Sequence, residues 1–261
     1  MPIDTALVGA LHVDYLESRD LAVEEALHHS LFQTSTIDAL LDGNYDGDVS
    51  FAELRARGDF GLGTFDALDG EMIALDGDFY QIKADGAAYP VDVRTKTPFA
   101  VVTIFEPALS QTLDSAMDFS TLCTRVDQLY DDAGTCCAVR VDGDFEHVRT
   151  RSVPRQHKPY PPLVDVVENQ PVFDLTNVRG TLVGFRFPDY TQGLNVAGYH
   201  FHFITADRSA GGHVLECLLS GAELRVDHEA DLRVELPTGI SLPVPDQTAA
   251  KRETLDRVER G

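Results

Sequence analysis

From about residue 60 onward the chain is dominated by short apolar or alternating runs cut by glycine and acidic turns. EMIALDGDFYQI (71–82) reads as strand, Asp-Gly turn, strand, which is a hairpin signal. FAVVTIFE (99–106) is an apolar strand, and GTCCAVRVDGDFEHVRTRSV (134–153) has strand character. GTLVGFRFP, GYHFHFIT, GHVLECLLS and AELRVDHEADLRVELP continue the strand pattern from residue 180 to 237. Helical signals are fewer. Residues 1 to 30 read as a polar lead-in with AVEEALHH as its helical piece. STIDALL (35–41) is a short helix with Ser35 or Thr36 as N-cap, and VSFAELRA (49–56) makes two turns before Gly58, Gly61 and Gly63 end it. A longer helix is predicted around 110–130, and TAAKRETLDRVER closes the chain as a helix with Glu253 and Arg257 four apart. PRQHKPYPPL (154–163), four prolines in ten residues, reads as a rigid linker. Many strands and few helices predict an α+β fold of mixed, mostly antiparallel sheets. Its expected division is a lead-in (1–30), an N-terminal α/β half (31–162) and a C-terminal β-rich half (163–261).

Composition changes this picture in one respect, the charge. The 261 residues carry 43 acidic against 21 basic side chains, a formal net charge of −22. Such a field repels phosphate, so nucleic acid is excluded as a partner. No run approaches the roughly 20 apolar residues of a membrane span, and the N-terminus has no basic, apolar signal pattern. Four cysteines are too few for a disulfide scaffold in a chain of this length, and a cytoplasmic protein is the expectation. Only four of the basic residues are lysine, and excess carboxylate with scarce lysine suits a surface adapted to high salt.

Two stretches carry candidate chemistry. DGNYDGDVSFAE (42–53) meets the calcium-loop pattern at every specified position, from Asp42, Asn44 and Asp46 to Glu53. An EF-hand needs a helix on both sides and usually a second loop. Here the following helix is cut at Gly58 and no second loop exists, so the match reads as a decoy. GYHFHFITADRSAGGHVLE (198–216) is more informative. His200 and His202, two apart on a strand, leave the same face. A hairpin folding near Asp207 and Arg208 sets His213 opposite His202 on the return strand. Three imidazoles on one face of a hairpin suit an open catalytic metal site, with positions left for water or substrate. Three neutral ligands leave the full charge of a zinc ion uncancelled. A cupin-type barrel also uses H-x-H, but the glutamate it needs shortly afterwards is absent here.

DGDVSFAELRARGDFGLGTFDALDGEMIALDGDFYQI, TRSVPRQHKPYPPL and GYHFHFITADRSAGGHVLE together resemble the bacterial α-acetolactate decarboxylases, in several blocks running from about Leu31 to the C-terminus. The resemblance implies a zinc-dependent lyase, usually a homodimer, that converts the anion 2-acetolactate to acetoin and carbon dioxide through an enediolate. It places the zinc ligands on His200, His202 and His213. It places a glutamate of the LDGE motif on Glu71, an arginine of the TR-x-VP motif on Arg151, and a C-terminal glutamate on Glu259. Glu71 and Glu259 become candidates for proton traffic, and Arg151 for the substrate carboxylate. Arg149, Arg151, Arg155 and Lys158 form a basic cluster suited to capturing an anion. The H-x-H and GGH pattern also recurs in the plant-and-prokaryote-conserved domain, so a non-catalytic metal-holding binding module stays open as the alternative.

Overall fold

The structure is a computed structural model that describes residues 29–237 and 248–260. Of the lead-in, only His29 and Ser30 fall within this range; the rest, with most of AVEEALHH, lies outside the described residues. In chain order the first elements are β1 (Ser30–Thr34), α1 (Ile37–Leu41), β2 (Val49–Ser50), α2 (Phe51–Arg55) and β3 (Phe60–Thr64). Next come β4 (Glu71–Leu75), β5 (Asp78–Ile82), β6 (Ala88–Pro90), β7 (Lys96–Thr97), β8 (Ala100–Thr103), β9 (Leu109–Leu113) and β10 (Met117–Asp118). The remainder are α3 (Phe119–Leu129), β11 (Cys136–Arg151), α4 (Leu163–Val167), β12 (Val172–Phe187), β13 (Gly198–Thr205), β14 (Gly211–Glu229), β15 (Asp231–Glu235) and α5 (Ala249–Arg260).

Two sheets result. The first runs β15-β1-β8-β3-β4-β5-β6 and is antiparallel except where β15 lies parallel to β1. In the second, β11 lies between β14 and β12, β12 pairs with β13, and β13 returns to pair with the start of β14. That last pairing closes the sheet on itself at one end. The fold is α+β and mostly antiparallel, as the strand pattern predicts.

Period-two alternation sorts the apolar side chains into three layers. Phe51 and Leu54 of α2 pack with Met72, Ala74, Phe79 and Val102 on the outer face of the first sheet. Between the sheets, Leu62, Ile73 and Val101 meet Ala138, Val183, Phe185 and Ile204. On the far face of the second sheet, Val139, Phe145, Phe201 and Phe203 pack with Leu122 and Val126 of α3. Cys136 and Cys137, adjacent on β11, therefore enter different layers as free buried thiols. The same alternation on β13 sends Phe201 and Phe203 to the far face and His200 and His202 towards the first sheet.

Local signals explain several elements. Asp76 and Gly77 turn between β4 and β5 with φ 55° and 81°, the paired left-handed conformations of a tight hairpin. Thr36 caps α1 by accepting from the Ala39 amide at 3.2 Å. Ser50 and Glu53 form a capping box at the start of α2: Ser50 N donates to Glu53 Oε2 at 2.8 Å, and Glu53 N donates to Ser50 Oγ at 3.3 Å. These are two of the positions that fit the calcium pattern. The others are committed as well, Asp42 to Lys251 (2.9 Å), Asn44 to the Ala39 carbonyl (2.9 Å) and Asp46 to Lys158 (2.6 Å).

Two expectations about local elements, the helix around 110–130 and the proline-rich linker, need correction. The helix predicted around 110–130 is a strand followed by a shorter helix. Residues 109–113 pair with β14, and α3 starts only after Asp118, whose carboxylate accepts from the Thr121 amide at 2.8 Å. Both sheets draw strands from either side of residue 162. β11, before it, sits inside the second sheet, and β15, after it, extends the first. The proline-rich segment is a strap bound to the loops around residues 45–46 and 66–67, not a spacer. Gln156 N donates to the Ala67 carbonyl at 2.7 Å and Tyr45 Oη to the Pro161 carbonyl at 2.9 Å, while Val153 and Leu163 at either end are buried.

Candidate active site

His213 on β14 lies directly across from His202 on β13, so the hairpin brings the three imidazoles onto the face turned towards the first sheet. Asp207 organises the turn by accepting from the Thr205 hydroxyl at 2.6 Å and the Ser209 amide at 3.1 Å. The two glycines before His213 have a steric reason. A Cβ on Gly211 would stand 2.2 Å from the Phe203 carbonyl oxygen, and one on Gly212 2.4 Å from that of Arg151. Here β14 is squeezed between β13 and β11, and Gly212 also has a φ of 146°. Only glycine lets the three strands meet at this point.

Ring centroids are 5.0 Å apart for His200 and His202, 4.9 Å for His200 and His213, and 5.4 Å for His202 and His213. One nitrogen from each ring lies within 4.8 Å of the others, the only such group of histidine, cysteine or acidic ligands found among the described residues. Backbone carbonyls settle the tautomers of two rings, since a carbonyl can only accept. His202 Nδ1 donates to the Met72 carbonyl of β4 at 2.8 Å, which leaves a lone pair on Nε2. His213 Nε2 donates to the Glu259 carbonyl of α5 at 2.8 Å, which leaves a lone pair on Nδ1, 3.0 Å from His200 Nε2. His202 Nε2 and His200 Nδ1 are buried without a hydrogen-bond partner among the described residues. Burial, helped by the positive charge of Arg151, holds His200 down to about 3. Burial likewise depresses His202 and His213 well below the ordinary imidazole range. All three rings are neutral at physiological pH, the state in which imidazole binds metal.

The other three candidates converge on the same spot. Glu71 opens β4, with Oε2 at 3.6 Å from His202 Nε2 and Oε1 at 3.4 Å from Arg151 Nη1. Burial lifts its carboxyl to about 7, with Arg151 pulling the other way and Glu259 adding to the rise. Arg151 ends β11; its Nη1 donates to Gln170 Oε1 at 3.0 Å and its Nη2 to the Val258 carbonyl at 2.9 Å. Glu259 comes from the last turn of α5, with Oε2 at 3.6 Å from His200 Nε2 and 3.7 Å from His213 Nε2. These groups surround a cavity of about 40 Å³, whose apolar walls include Ile37, Leu40, Phe99, Leu163 and Val258. Sequence reading missed Gln170 and the carbonyls of Met72, Val258 and Glu259. It also grouped Arg149, Arg155 and Lys158 with Arg151. In the fold Arg155 pairs with Asp66 (3.1 Å) and Lys158 with Asp46 (2.6 Å), while Arg151 alone faces the cavity.

Three neutral imidazoles, two carboxyl groups and a guanidinium around a small cavity, on an α+β scaffold of two large sheets, define an enzyme site able to hold a metal ion. Comparison with known proteins narrows the class. A sequence model of the alpha-acetolactate decarboxylase family matches residues 31–241. The chain is 53% identical over 209 residues to the alpha-acetolactate decarboxylase of Methylococcus capsulatus, covering 80% of each chain. It is 48% identical over 230 residues to that of Methanosarcina mazei, covering 88% of this chain and 80% of the relative. The crystal structure of alpha-acetolactate decarboxylase from Bacillus subtilis superposes with a TM-score of 0.85 at 37% identity, covering 89% of this chain and all of that one. The chain belongs to the alpha-acetolactate decarboxylase family. It is a carboxy-lyase that decarboxylates acetolactate, and the reading as a non-catalytic binding module falls away.

Proposed function

We propose that His200, His202 and His213 hold a zinc ion, and that Arg151, Glu71 and Glu259 act around it to convert 2-acetolactate to acetoin and carbon dioxide. One observation carries the reading: ring nitrogens of neutral histidines converge in a buried cavity, His202 Nε2 among them, with nothing in the described protein to satisfy its lone pair. The spacing agrees, because zinc–nitrogen bonds of about 2.0–2.1 Å in a tetrahedron set neighbouring ligands about 3.3 Å apart. His200 Nε2 and His213 Nδ1 lie 3.0 Å apart. The Met72 and Glu259 carbonyls supply the outer hydrogen bonds that orient metal-binding imidazoles.

Zinc, when bound, supplies a Lewis acid that takes up the electron pair left behind as carbon dioxide departs. The chain's own groups do the rest. Arg151, fixed by Gln170 and the Val258 carbonyl, presents a desolvated guanidinium to the substrate carboxylate. The apolar walls keep water from the reacting carbon. Glu71, with a pKa of about 7, exchanges a proton with the substrate hydroxyl near neutral pH. The reaction consumes one proton at the carbon that loses carbon dioxide, and the Glu259 carboxyl, beside His200 and His213, delivers it. Acetoin formation from racemic acetolactate tests this. Turnover should vanish on removal of metal by a chelator and return with zinc. Undiminished turnover by metal-free protein would overturn the proposal.

A further inference from the structure

Helix α5 ends inside the site. Val258 and Glu259 belong to its last turn, where an α-helix leaves its carbonyls without intrahelical donors. Site residues provide the missing donors: Arg151 Nη2 to Val258 O, and His213 Nε2 to Glu259 O. Among the described side chains of α5 only Leu255 and Val258 are buried apolar anchors. Nearer its start, Lys251 pairs with Asp42 at 2.9 Å and Arg252 Nε donates to Gln192 Oε1 at 2.9 Å.

We infer that docking of the C-terminal helix and binding of a metal ion at the histidines are cooperative, with the main-chain carbonyl of Glu259 as the positioning group for His213. The inference rests on the proposed role of the three histidines as metal ligands. A neutral imidazole carries one ring proton. The Glu259 carbonyl holds that proton on Nε2 and fixes the ring plane, so the Nδ1 lone pair stays aimed at the position shared with His200 Nε2. With the helix undocked, His213 keeps neither constraint, and the ion loses an oriented ligand. Outer hydrogen bonds of this kind are worth roughly 10- to 100-fold in metal affinity. Linkage is reciprocal, so a bound ion must tighten the docking of α5 by the same factor.

The test uses the full chain, a chain ending after Arg257, and the Glu259→Gln variant, which keeps the carbonyl and loses the carboxylate charge. Zinc affinity is measured by competition with a chromophoric chelator. Amide hydrogen exchange of residues 249–260 is followed in the full chain with and without zinc. The shortened chain should bind zinc about 10- to 100-fold more weakly, zinc should slow exchange in α5 by a matching factor, and Glu259→Gln, which removes only the carboxylate beside the histidines, should lose clearly less affinity than the shortened chain. Equal affinity of the full and shortened chains, or exchange in α5 indifferent to zinc, overturns the inference while leaving the metal site in place. A loss in Glu259→Gln as large as that on shortening overturns the assignment to the carbonyl. Should the shortened chain fail to fold, the exchange experiment on the full chain decides alone. Failure of the full chain to bind zinc at all would remove the proposed function, and the inference with it.

Discussion

Replacing Glu229 with glutamine should stabilise the protein, by an amount that grows with pH. Glu229 is the last residue of β14, where the chain leaves the sheet bearing His213 for the sheet bearing Glu71. It is 2% exposed, and neither carboxyl oxygen accepts a hydrogen bond of ordinary geometry. Burial, and then the neighbouring Asp227, push its carboxyl well above the usual value of 4.5; the nearby Thr103 hydroxyl offsets only part of this. Asp227 itself is satisfied, accepting from the Glu106 amide at 2.6 Å and from His29 Nδ1 at 3.0 Å. Below pH 4.5 Glu229 is neutral in both the folded and unfolded chain and adds no pH dependence. Above that, the unfolded chain releases the proton and the folded chain retains it. Stability therefore falls by up to about 1.4 kcal/mol per pH unit until the folded-state pKa is passed. Glutamine has nearly the same shape and nothing to ionise. Asp227 faces a neutral neighbour in both proteins across this window, so its own titration cancels in the difference. Urea unfolding of the two proteins at pH 4.5, 5.5 and 6.5 isolates that difference. The variant's advantage should increase by up to about 2.3 kcal/mol across the range, whatever constant offset the amide introduces. An advantage that does not change with pH would mean that Glu229 is ionised in the folded protein, and would refute the reasoning.

Three further outcomes are expected. His202→Ala removes the ring clamped by the Met72 carbonyl and should abolish both zinc binding and acetoin formation; a variant with full zinc content would show that the ligands lie elsewhere. Arg151→Lys keeps the charge but loses the fork that reaches Gln170 and Val258 together, and should lower stability by about 2–4 kcal/mol in urea unfolding, while no change would mean those contacts are not made in solution. Burial pushes the thiols of Cys136, Cys137 and Cys217 up to about 12, so at pH 8 the folded protein should react with a thiol-specific disulfide reagent at the partly exposed Cys123 alone, and at all four cysteines once unfolded. Rapid reaction of all four in the folded state would contradict the packing.

What could be read from the sequence divides along physical lines. The histidine triad was legible because strand periodicity is local: His200 and His202 must share a face, and a tight hairpin must bring His213 back. The hairpin at Asp76 and Gly77 was legible for the same reason. Glu71 and Glu259 are two among 43 acidic residues, and no local feature separates them from solvated carboxylates, so only the family resemblance pointed to them. The Met72, Val258 and Glu259 carbonyls are main-chain groups with no sequence signature at all. Long-range exchange was equally hidden. A single residue, Ala230, separates β14 in one sheet from β15 in the other, and nothing in AELRVDHEADLRVELP announces the switch. The strap from Pro154 to Leu163 misled in a different way. Proline density reports stiffness, and a stiff segment serves as well pinned across neighbouring loops as it does spanning a gap.

X-ray absorption at the zinc edge, recorded on the full chain loaded with one equivalent of zinc, tests most directly whether the three histidines hold the ion. Imidazole outer-shell scattering with nitrogen or oxygen neighbours at about 2.0–2.1 Å is the predicted spectrum, and its imidazole component should shrink in His202→Ala. Sulfur neighbours at about 2.3 Å, or a spectrum without imidazole scattering, would place the ion elsewhere and contradict the proposed site.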